Sequence, residues 1–568
     1  MLNDLLRPIR KYKFHLYVIG ILLLALYLRT FNINWDSNYY FHPDERAIAM
    51  FTTPLRLPSS FQEFLSPQSP LNPHFFAYGN FPLYLLKLLG ELSATVNPLL
   101  NDYGGIHLVG RLISAVADTA TVFVVFLIGS RLLKKRGGLF ASALYACSVF
   151  PVQAAHFYAV DSLLTFFITS AIFVLILYIK DPSYKKSVLI GLFVGLALAT
   201  KVSSAILLAM VFIVLLYAFL STKKRVSTLI HSLAIVLVVG FVFVATQPYT
   251  IIDMRSFIQQ TTLQGQMSNN AFLFPYTLQY VGKIPYLYEG YNIAFWGLGP
   301  IISSFCIAGI GIAAYRLYKK GIFKNPQLSF LIFFLVFYFL LFGKFAVGWM
   351  RYMLPIYPVL TIFGAFTLNE LANKYFARKI LHKFTKIALF GFFIVIIMYP
   401  LSFISIYTKP NTRIQASDWM LKNIPLGSYL AIEHWDDSLP VYGGENFIHL
   451  TLPLYDPDNP EKWRQIESTL NIADYIVIAS NRLYVPLQRL TDCNVLPKDK
   501  CYPKTAQYYK NLFSGKLGFE KVAEFSSYPT IPLANIKIQD DAADESFTVY
   551  DHPKIFIFKR IDLAKPSN

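Results

Sequence analysis

Two adjacent carboxylates stand in Phe41-His42-Pro43-Asp44-Glu45-Arg46, just beyond the first apolar stretch of a 568-residue chain. At the edge of a bilayer a carboxylate can serve as general base toward a hydroxyl, which suggests chemistry on a lipid-borne substrate at the membrane surface. Proline followed by two acids is also how a helix opens, with negative charge near its positive end. A favourable first turn therefore explains the pair as well as catalysis does. Asp161 poses the same choice in His156-Phe157-Tyr158-Ala159-Val160-Asp161-Ser162-Leu163. It either caps the apolar run that follows or sits at the membrane level of Asp44.

Cations complete the set. Lys201 falls between two apolar stretches, and Arg351-Tyr352 opens Arg351-Tyr352-Met353-Leu354-Pro355. Such residues anchor at the interface by snorkelling, or they bind the phosphate of a lipid. Asp118 lies well inside an apolar stretch, where an ionisable group is usually paired or functional. Arg111 is seven residues away, about two helical turns, so an ion pair between Asp118 and another helix is expected. There is no P-loop, no metal-spaced His/Cys cluster and no Gly-x-Ser-x-Gly. Gly309-Ile310-Gly311 lacks a third glycine and reads as helix packing.

The elements that must position these residues are membrane spans. The chain is 55% hydrophobic, 16% aromatic and only 15% charged. A span needs roughly 20 apolar residues, which predicts eleven, near 14–31, 106–131, 138–156, 160–179, 187–200, 203–220, 228–247, 292–315, 328–343, 353–372 and 386–407. The net charge of +18 is unevenly spread. From residue 408 onward there are 18 basic and 20 acidic residues, and the rest of the chain carries 33 and 13. The basic excess gathers at Arg7 to Lys13, Arg131 to Arg136, Lys180 to Lys186, Lys223 to Arg225, Lys319-Lys320 and Lys374 to Lys386. All six fall on one side if the N-terminus is cytoplasmic, as the positive-inside rule expects. No basic face is interleaved with stacking aromatics, so no nucleic-acid partner is expected.

This gives a polytopic α-helical membrane domain over 1–407 and an extracytoplasmic α/β domain over 408–568. Two long outer loops, 32–105 and 248–291, belong to the first. Phe81 to Leu89 can form an interfacial amphipathic helix. In the second domain, Ala416, Trp419, Met420 and Ile424 show helical spacing. Tyr429 to Ile432, Tyr475 to Ala479, Val522 to Phe525, Phe547 to Tyr550 and Ile555 to Phe558 read as strands, with Asp551-His552-Pro553 as the turn of a closing hairpin. Cys493 and Cys501 can pair if that domain faces an oxidising compartment, or remain free thiols. Cys147 and Cys306 read as packing residues.

With those residues in place, the chain resembles the GT-C membrane glycosyltransferases, in the branch of the protein O-mannosyltransferases and the bacterial transferase that adds aminoarabinose to lipid A. The resemblance spans residues 14–407. It rests on Asp44-Glu45 in the first outer loop, Asp161 opening the fourth span, Gly195-Leu196-Ala197 to Thr200-Lys201 at the next outer turn, and Arg351 to Pro358 in a late span. The resemblance implies a sugar donor on a polyprenyl phosphate, in the plasma membrane of a prokaryote, and an external protein, lipid or glycan acceptor. It implies Asp44 as the base, Glu45 as a second catalytic residue that orients acceptor or sugar, and Lys201, Arg351 and Arg111 around the phosphate. Asp161, His156, Tyr158 and His42 would contact acceptor or sugar. No cofactor and no metal are required. Rival readings are a ligase or polymerase of lipid-linked glycans, and a flippase. A flippase expects midplane charges and broken helices in paired positions, whereas the charges here cluster at the outer edge.

Overall fold

The computed structural model describes residues 2–221, 225–376 and 382–561. The cationic side chains of Arg7 to Lys13, and Lys223, Lys224, Arg378 and Lys379, lie outside the described residues.

The chain is a polytopic helical membrane protein carrying a sheet-containing C-terminal part. Among the described residues, eight helices are long and apolar enough to cross a bilayer. Phe14–Thr30 and Tyr184–Thr200 are shorter apolar helices that pack with them. Ile106–Ala146 runs as 41 residues, but its backbone leaves the helical region at Lys134 (φ 64°). A straight helix of that length would hold Asp118 and Tyr145 roughly 40 Å apart. Instead the Tyr145 hydroxyl donates to Asp118, so the two arms fold back on each other. Asp118 also accepts from Arg29 of the first helix at 2.5 Å, with both side chains fully buried. That is the inter-helix ion pair its apolar surroundings demand.

The polarity of the bundle's two ends is evident in the side chains. Arg131, Lys180, Lys320 and Lys324 line one polar cleft at one end. Asp44, Asp161, Lys201 and Arg351 gather at the other. Gly309 lets two helices touch: a Cβ there would stand 1.7 Å from the Phe363 carbonyl oxygen.

Beyond Thr412–Asn423, five strands form one sheet: β1 (Tyr429–Glu433), β2 (Ile448–Leu452), β3 (Tyr475–Ile478), β4 (Phe519–Phe525) and β5 (Ile555–Arg560). Their order is β2-β1-β3-β5-β4, parallel across the first three and antiparallel beyond. Strand β2 is a mostly exposed edge with polar His449 and Thr451, which hides it from a hydrophobic reading. Cys493 and Cys501 are joined as a disulfide. Cys147 and Cys306 are buried free thiols.

The expected strand at Phe547 to Tyr550 is not a strand. Asp544 accepts from the Ser546 amide at 2.8 Å and caps a short helix, Glu545–Thr548, and this cap prevails over the β-prone side chains. Asp551-His552 is no exposed hairpin turn either, because both residues are buried. Asp551 accepts from Tyr407 at 2.8 Å and from Gln153 at 3.0 Å, both in the bundle. Burial alone would lower the His552 pKa, but Asp551 and Asp540 on either side outweigh it and lift it to about 10. The segment 544–552 is thus a wedge of the C-terminal part set into the helical part. Tyr288 donates to Asp544 at 2.6 Å, and the Asp544 amide donates to Asn292 at 3.0 Å.

Candidate active site

Helix Pro43–Thr52 opens on Pro43 with Asp44 and Glu45 in its first turn. Consecutive residues on a helix point about 100° apart, and the two acids part company accordingly. Glu45 turns inward and is 1% exposed. Its carboxylate accepts from Arg111 at 2.9 and 2.6 Å and from the Tyr158 amide at 3.0 Å.

Arg111 is itself saturated. Besides Glu45 it donates to both oxygens of Asp36 (3.0 and 2.7 Å) and to the Ile33 carbonyl (2.8 Å). A guanidinium has five N–H donors, and these five bonds use them all. Arg111, expected among the phosphate-binding residues, therefore has no donor left for a phosphate. Glu45, expected to be catalytic, instead clamps the loop 32–105 onto helix Ile106–Ala146. Truncating Arg111 to Ala strands two buried carboxylates, at a cost of about 3–5 kcal/mol. A sharply lowered melting temperature in detergent is the expected reading, and an unchanged one contradicts the clamp.

Two further corrections concern His156 and Tyr158, both expected to touch acceptor or sugar. Both are fully buried. The His156 ring nitrogens lie 2.8 and 3.1 Å from the Val152 and Phe31 carbonyls, and its ring stacks on Tyr407. The Tyr158 hydroxyl donates to the Pro82 carbonyl at 2.7 Å. Their polar atoms are committed to the backbone, so both serve the scaffold.

The other five candidates converge. Asp44 forms an ion pair with Arg351, whose guanidinium also donates to Tyr78 at 3.3 Å and lies over the Trp349 ring. Asp161 pairs with Lys201 at 2.9 Å, leaving its second carboxylate oxygen buried and without a partner among the described residues. The Lys201 ammonium sits 5.5 Å from the Tyr78 ring centre and 5.3 Å from that of Tyr352. His42 is buried against Phe157 and Tyr550, 4.7 and 4.2 Å between ring centres.

Gly79 allows this convergence. Its amide donates to the Thr200 carbonyl at 3.0 Å, and a Cβ would stand 1.8 Å from the Ala199 carbonyl oxygen. Only glycine lets the loop bring Tyr78 down onto Lys201.

Arg351, Asp161 and Lys201 line a cavity of about 360 Å³, which Asp44 adjoins through its ion pair with Arg351. Its polar end holds Tyr78, Asp161, Lys201, Arg351 and Tyr352, and its remaining wall includes Leu164, Ile206, Leu341, Phe342 and Phe345. Burial works to raise the Asp44 pKa, but the Arg351 guanidinium, helped by His42 and Tyr78, outweighs it and holds the acid at about 2. Burial, with Arg351 and Arg111 in support, pushes His42 down to about 4, so it is neutral near pH 7. Tyr78, Trp349 and Tyr550 were not singled out from sequence, because neutral aromatic side chains carry no signal among 37 tyrosines and 6 tryptophans. Among the described residues, no group of three or more His, Cys, Asp or Glu is placed to hold a metal ion.

Residues 103–250 match the model of a family described as dolichyl-phosphate-mannose-protein mannosyltransferase. The match takes in Asp161 and Lys201 but not Asp44 or Arg351. No curated protein matches the chain. Among solved structures, the apo oligosaccharyltransferase of Archaeoglobus fulgidus superposes with a TM-score of 0.53 at 13% identity, over 97% of this chain and 89% of that one. Archaeal oligosaccharyltransferase AglB of the same organism, in complex with an inhibitory peptide and a dolichol-phosphate, gives 0.51 at 12% identity, over 98% and 89%. ArnT of Cupriavidus metallidurans bound to undecaprenyl phosphate gives 0.44 at 13% identity, over 84% and 95%. The two archaeal likenesses show that the chain shares the fold of those proteins.

Proposed function

We propose that this GT-C-fold membrane protein moves a sugar from a polyprenyl-phosphate carrier to an acceptor hydroxyl on the outer face of a prokaryotic plasma membrane. One observation carries the reading. Two cations, Arg351 and Lys201, stand at the polar end of a cavity whose remaining wall is largely apolar, each neutralised by a carboxylate of the protein. A lipid phosphate fits that arrangement, with its head between the cations and its chain along the apolar wall. Guanidinium and ammonium groups bind phosphate oxygens by charge-assisted hydrogen bonds, so an arriving phosphate competes with Asp44 for Arg351 and with Asp161 for Lys201.

The chemistry follows from that competition. In the resting protein Asp44 is a weak base, because Arg351 stabilises its anion. Once phosphate takes a share of Arg351, Asp44 loses part of its counter-charge and gains an anionic neighbour, and both changes raise its proton affinity. The acceptor hydroxyl then gives its proton to Asp44 while its oxygen attacks the anomeric carbon. The bond from that carbon to the phosphate oxygen breaks, and the phosphate departs as an anion that needs no protonation. Lys201 and Arg351 stabilise the charge that grows on it. Direct displacement inverts the anomeric centre. The scheme needs one base, unlike the two carboxylates of ordinary glycosidases, and it calls for neither metal nor cofactor. The acceptor is a protein hydroxyl, a lipid or a glycan.

Transfer itself is the test. Purified protein in vesicles would receive a polyprenyl-phosphate sugar labelled in the sugar, together with membrane extract. The label should move to an acceptor, leaving bare polyprenyl phosphate. Intact carrier crossing the vesicle with no transfer would replace this reading with a flippase.

A further inference from the structure

A small annex opens beside the main cavity and shares Asp161 and Arg351 with it. It holds about 30 Å³, and a water needs roughly 10–15 Å³, so it is sized for hydroxyl groups and not for a ring. Four of its residues carry a buried side-chain atom without a hydrogen-bond partner among the described residues: His42 Nδ1, Gln153 Oε1, Asp161 Oδ2 and Arg351 Nε. An unsatisfied buried polar group is costly, and the four belong to residues that line one space. Donors and acceptors are both present, since Gln153 Oε1 and the Asp161 carboxylate that pairs with Lys201 accept and Arg351 Nε can only donate. Aromatic rings complete the walls, namely Phe157, Trp349 and Tyr550. Apolar rings beside mixed donors and acceptors suit the edge of a polyhydroxylated ring, where C–H and hydroxyl groups alternate.

The annex is not built by the helical bundle alone. Ser546 and Tyr550 come from the wedge of the C-terminal part. That wedge is fastened in place: Gln153 donates to the Phe547 carbonyl at 2.7 Å, and Arg482 pairs with Glu545 at 2.7 Å. Arg413 holds the Val549 carbonyl at 2.8 Å. A surface loop lying loosely over the bundle would not need such anchoring.

Resting on the donor reading above, we propose that the annex receives the hydroxyl edge of the donor's sugar, whose ring lies at the polar end of the main cavity. Tyr550 and Ser546 are then specificity-determining residues, and the C-terminal part is a wall of the donor site as well as an outer domain. The sugar is selected by contacts that bare carrier never makes.

The experiment measures binding of the purified full-length protein to sugar-free polyprenyl phosphate and to a panel of polyprenyl-phosphate hexoses and pentoses, epimers included. Wild type should bind one sugar-bearing carrier at least about tenfold more tightly than its epimers, as one or two lost hydrogen bonds imply. Tyr550→Ala enlarges the annex and Ser546→Trp fills it. Both should erase that preference while affinity for bare polyprenyl phosphate stays within about twofold, a control that also reports an intact fold. Preference retained in both variants, bare-carrier affinity lost in parallel with it, or no preference in wild type would each overturn the inference alone. Failure of wild type to bind any carrier would overturn the donor reading and this inference with it.

Discussion

Asp44→Asn is expected to lower sugar transfer by about 10²–10⁴-fold, the usual contribution of a positioned general base, without weakening carrier binding. The second half of that expectation distinguishes catalysis from structure. Asp44 competes with the donor phosphate for Arg351, so neutralising it frees the guanidinium and favours the carrier. The pH profiles extend the prediction. In the free protein the Asp44 pKa is depressed to about 2, so its carboxylate persists above that value and is lost only as pH falls through it. kcat/KM reports the free enzyme and should stay level as pH falls from about 7 to about 5. kcat reports the donor-bound enzyme, in which phosphate has withdrawn part of Arg351, so its acid limb should lie at higher pH. Coincident limbs, or equal transfer by wild type and Asp44→Asn, would remove Asp44 from the role of base.

The second large effect belongs to the cations. Lys201→Ala and Arg351→Ala should each weaken binding of a polyprenyl-phosphate sugar and of bare polyprenyl phosphate alike. A charged hydrogen bond contributes about 1.5–3 kcal/mol, or about 10–150-fold in affinity. Arg351→Lys should restore only part of the loss, since an ammonium keeps the charge but not the planar fork that meets two oxygens at once. In Arg351→Ala the acid limb of kcat/KM should also rise, because Asp44 has lost the cation that depresses it. Titration of purified variants with fluorescent carrier measures the affinities. Unchanged binding in both would show that the cavity holds something other than a phosphate.

How much was legible in the sequence depended on what each residue costs where it stands. Asp44, Asp161, Lys201 and Arg351 stood out because charges beside a bilayer demand a reason; the fold sets Asp161, Lys201 and Arg351 in the wall of one cavity and ties Asp44 to Arg351. Arg111 stood out on the same grounds, yet it is scaffold. Its partners Asp36 and Glu45 lie 75 and 66 residues away in the chain, beyond the reach of local spacing. Pairing of a cation is a tertiary fact, and periodicity cannot separate a clamp from a ligand site. The wedge at 544–552 failed for a different reason. Phe547, Val549 and Tyr550 are strand formers, and only the Asp544 cap and the buried Asp551-His552 pair reveal that this segment leaves the sheet to enter the bundle. The neutral residues of the site, Tyr78, Trp349 and Tyr550, became visible only once the loops had folded over the bundle.

The most direct measurement follows the anomeric carbon and the phosphorus of one transfer by NMR, with purified protein and a carrier of defined anomeric configuration. Displacement by an acceptor activated at Asp44 predicts one bare polyprenyl phosphate released for each sugar moved, with the configuration at that carbon inverted. Retained configuration, or a phosphate that leaves still bearing its sugar, would contradict the account.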